Sequence, residues 1–218
     1  MAKVKGDTRK YSSSVRDEQA ARTRSRILDA ASELFLDRGY ARTTMKDIAE
    51  RADVARDTVH AVFGTKARVL TALIDLRLVP DDSVANVMQR ADAQAIKDEV
   101  DPRTQIELFA TFIAGLSTQI RPVFEILRTA SAVEPEMASV FEEMDRFRMN
   151  NMQTYAKWIA ARAPLRVSTK RAGEIIWALA SPDVARMLCD ELGWTQAQHA
   201  QWLADTLVRT LLPETPPQ

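Results

Sequence analysis

From Glu18 to Leu212 the apolar side chains recur at three- and four-residue intervals, and no segment shows sustained alternation of apolar and polar residues between hairpin signals. Residues i, i+3, i+4 and i+7 share one face of a helix, whereas a half-buried strand repeats every two residues. The chain is therefore expected to be all-α: an N-terminal three-helix domain with a helix-turn-helix, plus a larger helical C-terminal domain. At 218 residues it is long enough to bury a sizeable core, and one small plus one larger domain fits its length best.

The punctuation sets the expected boundaries. A first helix over about Glu18–Arg38 puts Ile27, Ala30, Ala31, Leu34 and Phe35 on one face and ends at Gly39, which suits a left-handed cap. Thr44 followed by Asp47 has capping-box spacing and starts a second helix, with Ile48 and Ala49 inward. Ala52-Asp53-Val54 reads as a tight turn, because aspartate tolerates a left-handed backbone. A short third helix runs from about Ala55 to Val62. Thr65 caps a fourth from Lys66 to Val79, with Val69, Leu70, Leu73 and Leu76 inward, and Pro80 closes the unit.

Five or six helices are expected beyond it. Pro102–Gln119 is one, and Pro122 opens a short second one through Ala132. Glu134–Ala163 is the longest, and Ser168–Ala180 and Thr195–Leu212 flank an insert from Ser181 to Gly193. The expected organisation is a flexible basic arm over 1–17, a helix-turn-helix domain over 18–80, a helical domain over 81–212 and a disordered tail over 213–218.

The net charge is zero, but residues 1–80 carry 16 basic and 11 acidic side chains and residues 81–218 carry 14 and 19. A basic N-terminal part suits a polyanionic partner and an acidic remainder does not. Cys189 is the only cysteine, so neither an intrachain disulfide nor a Cys-based zinc site can form, and the buried structural thiol is its default role. The sequence has no secretory signal and no run approaching the ~18 apolar residues of a membrane span, which predicts a cytoplasmic protein. It has no Gly-rich phosphate loop, no G-x-S-x-G and no H-E-x-x-H, and His60 and His199 lack a carboxylate motif. No enzyme activity, cofactor or metal is expected.

Two short helices joined by a three-residue turn, after a long supporting helix, have the shape of a double-stranded DNA reader whose second helix enters the major groove. The residues Arg26-Ile27-Leu28-Asp29-Ala30-Ala31, Leu34-Phe35, Gly39-Tyr40, Thr43-Thr44, Ile48-Ala49, Val54, Thr58, Phe63, Lys66 and Leu70, in this spacing, resemble the tetracycline-repressor (TetR) family. The resemblance covers about one fifth of the chain. It implies that Thr43, Thr44, Lys46, Arg56, Thr58, His60 and Lys66 face DNA, with Arg56 on a guanine edge and Thr44 and Lys66 on phosphates. Four positions depart from the family pattern: Asp53 stands where Gly is usual, Ala55 where a small capping Ser is usual, Asp57 where Gly is frequent, and His60 where Tyr is usual.

One reading helix specifies little, so a homodimer on a palindromic operator is expected. The resemblance assigns the pairing to the last two helices, through Ile175, Ile176, Leu179, Trp202, Leu203, Thr206, Leu207 and Thr210. The alternative is that both stripes finish the monomer core. The middle helices are rich in Phe and Met, and the resemblance implies a pocket there for a partly apolar small-molecule effector, among Phe109, Phe112, Phe124, Phe141, Met144, Met152, Tyr155 and Trp177. Plain core packing is the competing explanation for each. The expected function is a ligand-released repressor; an activator, or a helical ligand-binding or scaffolding protein with weakened DNA binding, are the alternatives.

Overall fold

A chain whose apolar period is helical from end to end must bury one stripe of each helix against another helix, and it does so around two cores. The computed structural model describes residues 8–78 and 87–214, with side chains from Asp17 onward. The described residues are helical, turn or irregular, with no strand among them, and divide into two compact units between Leu73 and Ile74.

The first unit holds α1 (Thr8–Arg38), α2 (Met45–Arg51), α3 (Arg56–Phe63) and most of α4 (Lys66–Leu78). Its core is built from Ile27, Ala31, Leu34 and Phe35 of α1, Ile48 and Ala49 of α2, Val59 and Phe63 of α3, and Val69, Leu70 and Leu73 of α4. Gly39 ends α1 at φ 81°, where a β-carbon would be strained, and its N–H closes on Phe35 O at 3.0 Å. The helix starts at Thr8 rather than Glu18, so the part of the expected arm from Thr8 on is helical. Extending a formed helix costs far less than nucleating one, and no Gly or Pro interrupts it before Gly39. The rest of that arm, Val79, Pro80 and residues 215–218 of the expected tail lie outside the described residues. Leu76, expected inward, is 41% exposed.

The second unit contains a 3-10 turn at Val87–Gln89, α5 (Ala91–Asp98), α6 (Pro102–Ser131), α7 (Pro135–Ala160), α8 (Thr169–Leu179), α9 (Pro182–Arg186), a π-helical turn at Met187–Glu191 and α10 (Gln196–Leu211). At its centre α6 packs on α7 and on α10, and α7 packs on α8. Their core includes Ile106, Phe109, Ile113, Met152, Tyr155, Ile159, Ile176, Leu203 and Leu207.

Two expectations fail here. Pro122 does not open a new helix but lies inside α6, which continues to Ser131. An internal proline costs ~3 kcal/mol, yet the stripe beyond it buries Val123, Ile126 and Leu127, each worth ~1.5–3 kcal/mol, so packing outweighs the break. In consequence α6, with 30 residues, exceeds α7 with 26, so the helix after Glu134 is not the longest. The Ser181–Gly193 insert is itself largely helical, opened by Ser181 Oγ accepting from Val184 N at 3.1 Å.

Candidate nucleic-acid interface and ligand cavity

The start of α2 is fixed by reciprocal capping. Asp47 N donates to Thr44 Oγ1 at 3.1 Å, while the Thr44 N–H and hydroxyl donate to Asp47 Oδ2 at 2.8 and 2.7 Å. The Thr44 hydroxyl, then its backbone N–H, holds the Asp47 carboxyl below its ordinary 3.8. The turn into α3 places Asp53 at φ 52° and closes with Val54 N on Ala49 O at 3.0 Å. Arg26 of α1 clamps this turn, donating to Ala52 O at 2.5 Å and Asp53 O at 2.9 Å. Arg51 of α2 pairs with Glu33 of α1, its Nε 2.8 Å from Glu33 Oε2. Both arginines tie the turn and α2 to the supporting helix, so α3 leaves at a set angle.

Val59 and Phe63, one turn apart, anchor α3 in the core, with the Arg24 guanidinium 4.8 Å from the Phe63 ring centre. The opposite face exposes Arg56, Asp57 and His60, with Thr58 half-buried beside it. Arg56 has no ion pair or hydrogen bond among the described residues, so no nearby carboxylate neutralises it. His60 Nδ1 lies 3.1 Å from Gly64 O and closes the end of the helix. Ala55 caps α3 without a side-chain hydrogen bond.

Of the residues expected to face DNA, Thr44, Lys46, Arg56 and His60 are exposed and come from α2, its cap and α3. Lys46 shares its charge with Glu50 at 3.6 Å. Thr43 is a correction: it is 0% exposed and its hydroxyl donates inward to Gly39 O at 3.0 Å, so its side chain braces the end of α1 and cannot reach DNA. Lys66 is half-buried, its ammonium donating to Tyr40 O at 3.0 Å over the Tyr40 ring at 4.1 Å; it fastens α4 to the loop after α1.

In the second unit Phe112, Leu116, Ile120 and Phe124 of α6 and Met144, Phe147, Met152 and Tyr155 of α7 enclose a cavity, with Leu78 and Met88 at its edge. Its volume is about 70 Å³ counted as positions a water can occupy, and about 660 Å³ with all the space between side chains and at the mouth. One water needs ~10–15 Å³ on the first scale, so the space as it stands holds a few waters and lies below the ~300–1,000 Å³ of ligand sites. Among the residues expected in a pocket, Phe112, Phe124, Met144, Met152 and Tyr155 line this cavity. Phe109, Phe141 and Trp177 are corrections. Phe109 is core, 4.5 Å from the Tyr155 ring centre; Phe141 backs Phe124 at 5.6 Å; Trp177 lies under Arg148 at 4.5 Å.

The polar groups of the cavity were missed. Arg148 lines it with a side chain only 19% exposed, donating to Trp177 O at 2.6 Å and Asp145 Oδ1 at 3.1 Å. Asn151 and Ser117 also line it, and the buried Tyr155 hydroxyl has no hydrogen-bond partner among the described residues. Burial pushes the Tyr155 phenol above its ordinary 10.0 and the Arg148 guanidinium below its ordinary range. The available signal was an arginine on an apolar stripe, four residues before Met152 and seven before Tyr155.

The expected pairing stripes split. Ile176, Leu203 and Leu207 are each 0% exposed in the single chain, a correction, since a core side chain cannot also contact a partner. Ile175, Leu179, Trp202, Thr206 and Thr210 are half-buried at the surface of α8 and α10.

Residues 27–73 match the family model described as bacterial regulatory proteins, tetR family. The chain is 32% identical over 131 residues to the HTH-type transcriptional regulator TtgR of Pseudomonas putida, covering 58% of this chain and 59% of that protein. It is 26% identical over 200 residues to the HTH-type transcriptional repressor BepR of Brucella suis, covering 88% and 93%. Its fold is similar to the crystal structure of NalD, the secondary repressor of the MexAB-OprM multidrug efflux pump in Pseudomonas aeruginosa, with a TM-score of 0.69 and 22% identity over 90% of this chain and 100% of that one.

Proposed function

We propose that the chain, whose residues 27–73 match the tetR family of bacterial regulatory proteins, is a cytoplasmic repressor, homodimeric on a palindromic operator, that is released by a small molecule held in the cavity of its second unit. The observation that carries the DNA-binding part is the exposed face of α3. Val59 and Phe63 root the helix, Arg26 and Arg51 set its approach, and Arg56 is left outward without a carboxylate partner. A guanidinium in that state can give two parallel hydrogen bonds to a guanine edge. Thr44 and Lys46 would hold phosphates, and Thr58 and His60 flank Arg56. The half-buried Ile175, Leu179, Trp202, Thr206 and Thr210 are the natural dimer contacts, because they are apolar or small and keep part of their surface outside the core.

Release requires that the ligand favour one of two states. Continuous α4 begins at Lys66, fastened to Tyr40, and ends at Leu78, a cavity residue, so the helix is a covalent path between operator-holding and ligand-holding parts.

Fluorescence anisotropy with the duplex upstream of the chain's own gene tests the reading. We expect affinity well above that for random duplex and a steep fall with salt as phosphate contacts release counterions. Arg56→Ala should cost ~1–3 kcal/mol of specific binding and leave random-duplex binding nearly unchanged. Equal affinity for both duplexes would overturn it.

A further inference from the structure

The chemistry of the α3 crest deepens the DNA-binding reading above and rests on it. At about 100° per residue, Asp57 stands roughly 160° around the helix from Val59 and roughly 120° from Phe63, the two side chains rooted in the core. Ala61 follows it one turn later on the same side, and both are exposed. Both side chains are short, so α3 can come close to a surface along this line. Asp57 sits at the N-terminal end of α3, the end at which a reading helix meets base edges.

The neighbouring carboxylates are offset within the unit. Asp47 accepts from the Thr44 N–H at 2.8 Å, Asp53 lies 3.4 Å from Arg26, and Glu50 lies 3.6 Å from Lys46. The helical position of Asp57 directs its charge away from the unit instead. Being in the first turn, it also lies near the positive end of the helix dipole, so support of the helix start is the competing role.

A carboxylate accepts hydrogen bonds and donates none. In the major groove the phosphates repel it, and so do guanine N7 and O6, adenine N7 and thymine O4, all acceptors. The donors there are the amino groups, cytosine N4 and adenine N6. Adenine N7, beside N6, would face the second carboxylate oxygen, whereas cytosine N4 is bordered on its own ring by a C–H. Cytosine is therefore the better match, and elsewhere the carboxylate gives up water without a replacement bond.

We propose that Asp57 makes the reading helix selective for a cytosine. Its carboxylate accepts from the cytosine amino group, and its charge weakens binding wherever that donor is missing.

The test is selection from a randomised duplex library by the full chain, followed by anisotropy titration of the selected duplex and its single-base variants. We expect a position at which cytosine is preferred by about tenfold, the order of one mismatched pair. In Asp57→Ala that preference should vanish and the others persist, while affinity for random duplex rises because a charge repelled by phosphates is gone. Asp57→Asn keeps the side chain's shape and adds a donor, so the preference at that position should move to adenine. It also carries the test if the alanine chain folds poorly. Support of the helix start predicts something else: both variants would bind every duplex more weakly, with all preferences intact. That outcome overturns the proposal, as does an unchanged cytosine preference or an unchanged affinity for random duplex. A chain that selects no sequence overturns the DNA-binding reading and this one together, whereas a chain that selects a sequence without using Asp57 overturns this one alone.

Discussion

Thr43 and Thr44 are chemically identical neighbours with opposite roles. The first is wholly buried and bonds back to Gly39 O; the second is exposed and caps α2 through Asp47. Residue type alone could not separate them, because either hydroxyl satisfies a backbone group or a phosphate equally well. Ala55 shows the reverse, a position whose deficit is visible in both sequence and structure. It caps α3 with an extended backbone, φ −65° and ψ 145°, but offers no side-chain acceptor to the first-turn N–H groups. Ala55→Ser should supply one and stabilise the protein by ~0.5–2 kcal/mol, read as a higher midpoint in urea at unchanged slope. An unchanged midpoint would mean that those N–H groups are as well satisfied by water. Tyr155 yields a second expectation of the same kind. With its hydroxyl buried and without a partner among the described residues, Tyr155→Phe should raise the ligand-free chain's stability by ~1 kcal/mol; a loss of stability would show that the hydroxyl has a partner in the free protein.

Among the elements, α2 to α4 were legible nearly to the residue because their ends are written in local chemistry: Thr44 with Asp47, the left-handed Asp53, and Thr65 before Lys66. α6 was not. Proline before a helical stripe reads as a start, and only the burial of Val123, Ile126 and Leu127 against other helices decides that the stripe is a continuation. The cavity was half legible for a related reason. Periodicity found the face that carries Phe112, Phe124, Met144, Met152 and Tyr155, but whether a facing side chain meets core or empty space depends on its partners, which is why Phe109 is core while Arg148 lines the cavity. The same conflict in α6 has a measurable cost. Pro122 is exposed and contributes no packing, so Pro122→Ala should restore the missing backbone bond and stabilise the chain by ~1–3 kcal/mol, less than the full proline penalty because alanine loosens the unfolded chain. Thermal denaturation reads it, and a lower midpoint would indicate that α6 needs the break.

At the level of the whole chain, basic residues gather before position 80 and acidic ones after it, and the pH response is expected to follow a different, narrower cause. His199 lies in α10, 1% exposed, with Nε2 lacking a hydrogen-bond partner among the described residues. Burial first, and the positive charge of Arg121 second, push its imidazole below the ordinary 6.5. The unfolded chain therefore takes up a proton at about that ordinary value, while the folded chain resists it. Where the unfolded state binds more protons, stability rises with pH. His199 thus contributes stability that is present in full above 6.5 and is lost as the pH falls from there to the lowered folded-state value, at up to ~1.4 kcal/mol per pH unit. The carboxylates with lowered values, Asp47, Asp101 and Glu125, start from 3.8, 3.8 and 4.5, so their losses fall in a more acid window. Urea denaturation at pH 7.5, 6.5 and 5.5 should accordingly show falling stability in the unmodified chain and a flatter profile in His199→Gln, whatever that substitution does to stability at pH 7.5. The slope is the discriminating quantity. If the two profiles run parallel, the acid sensitivity belongs to other groups, and His199 is paired in solution through Nε2.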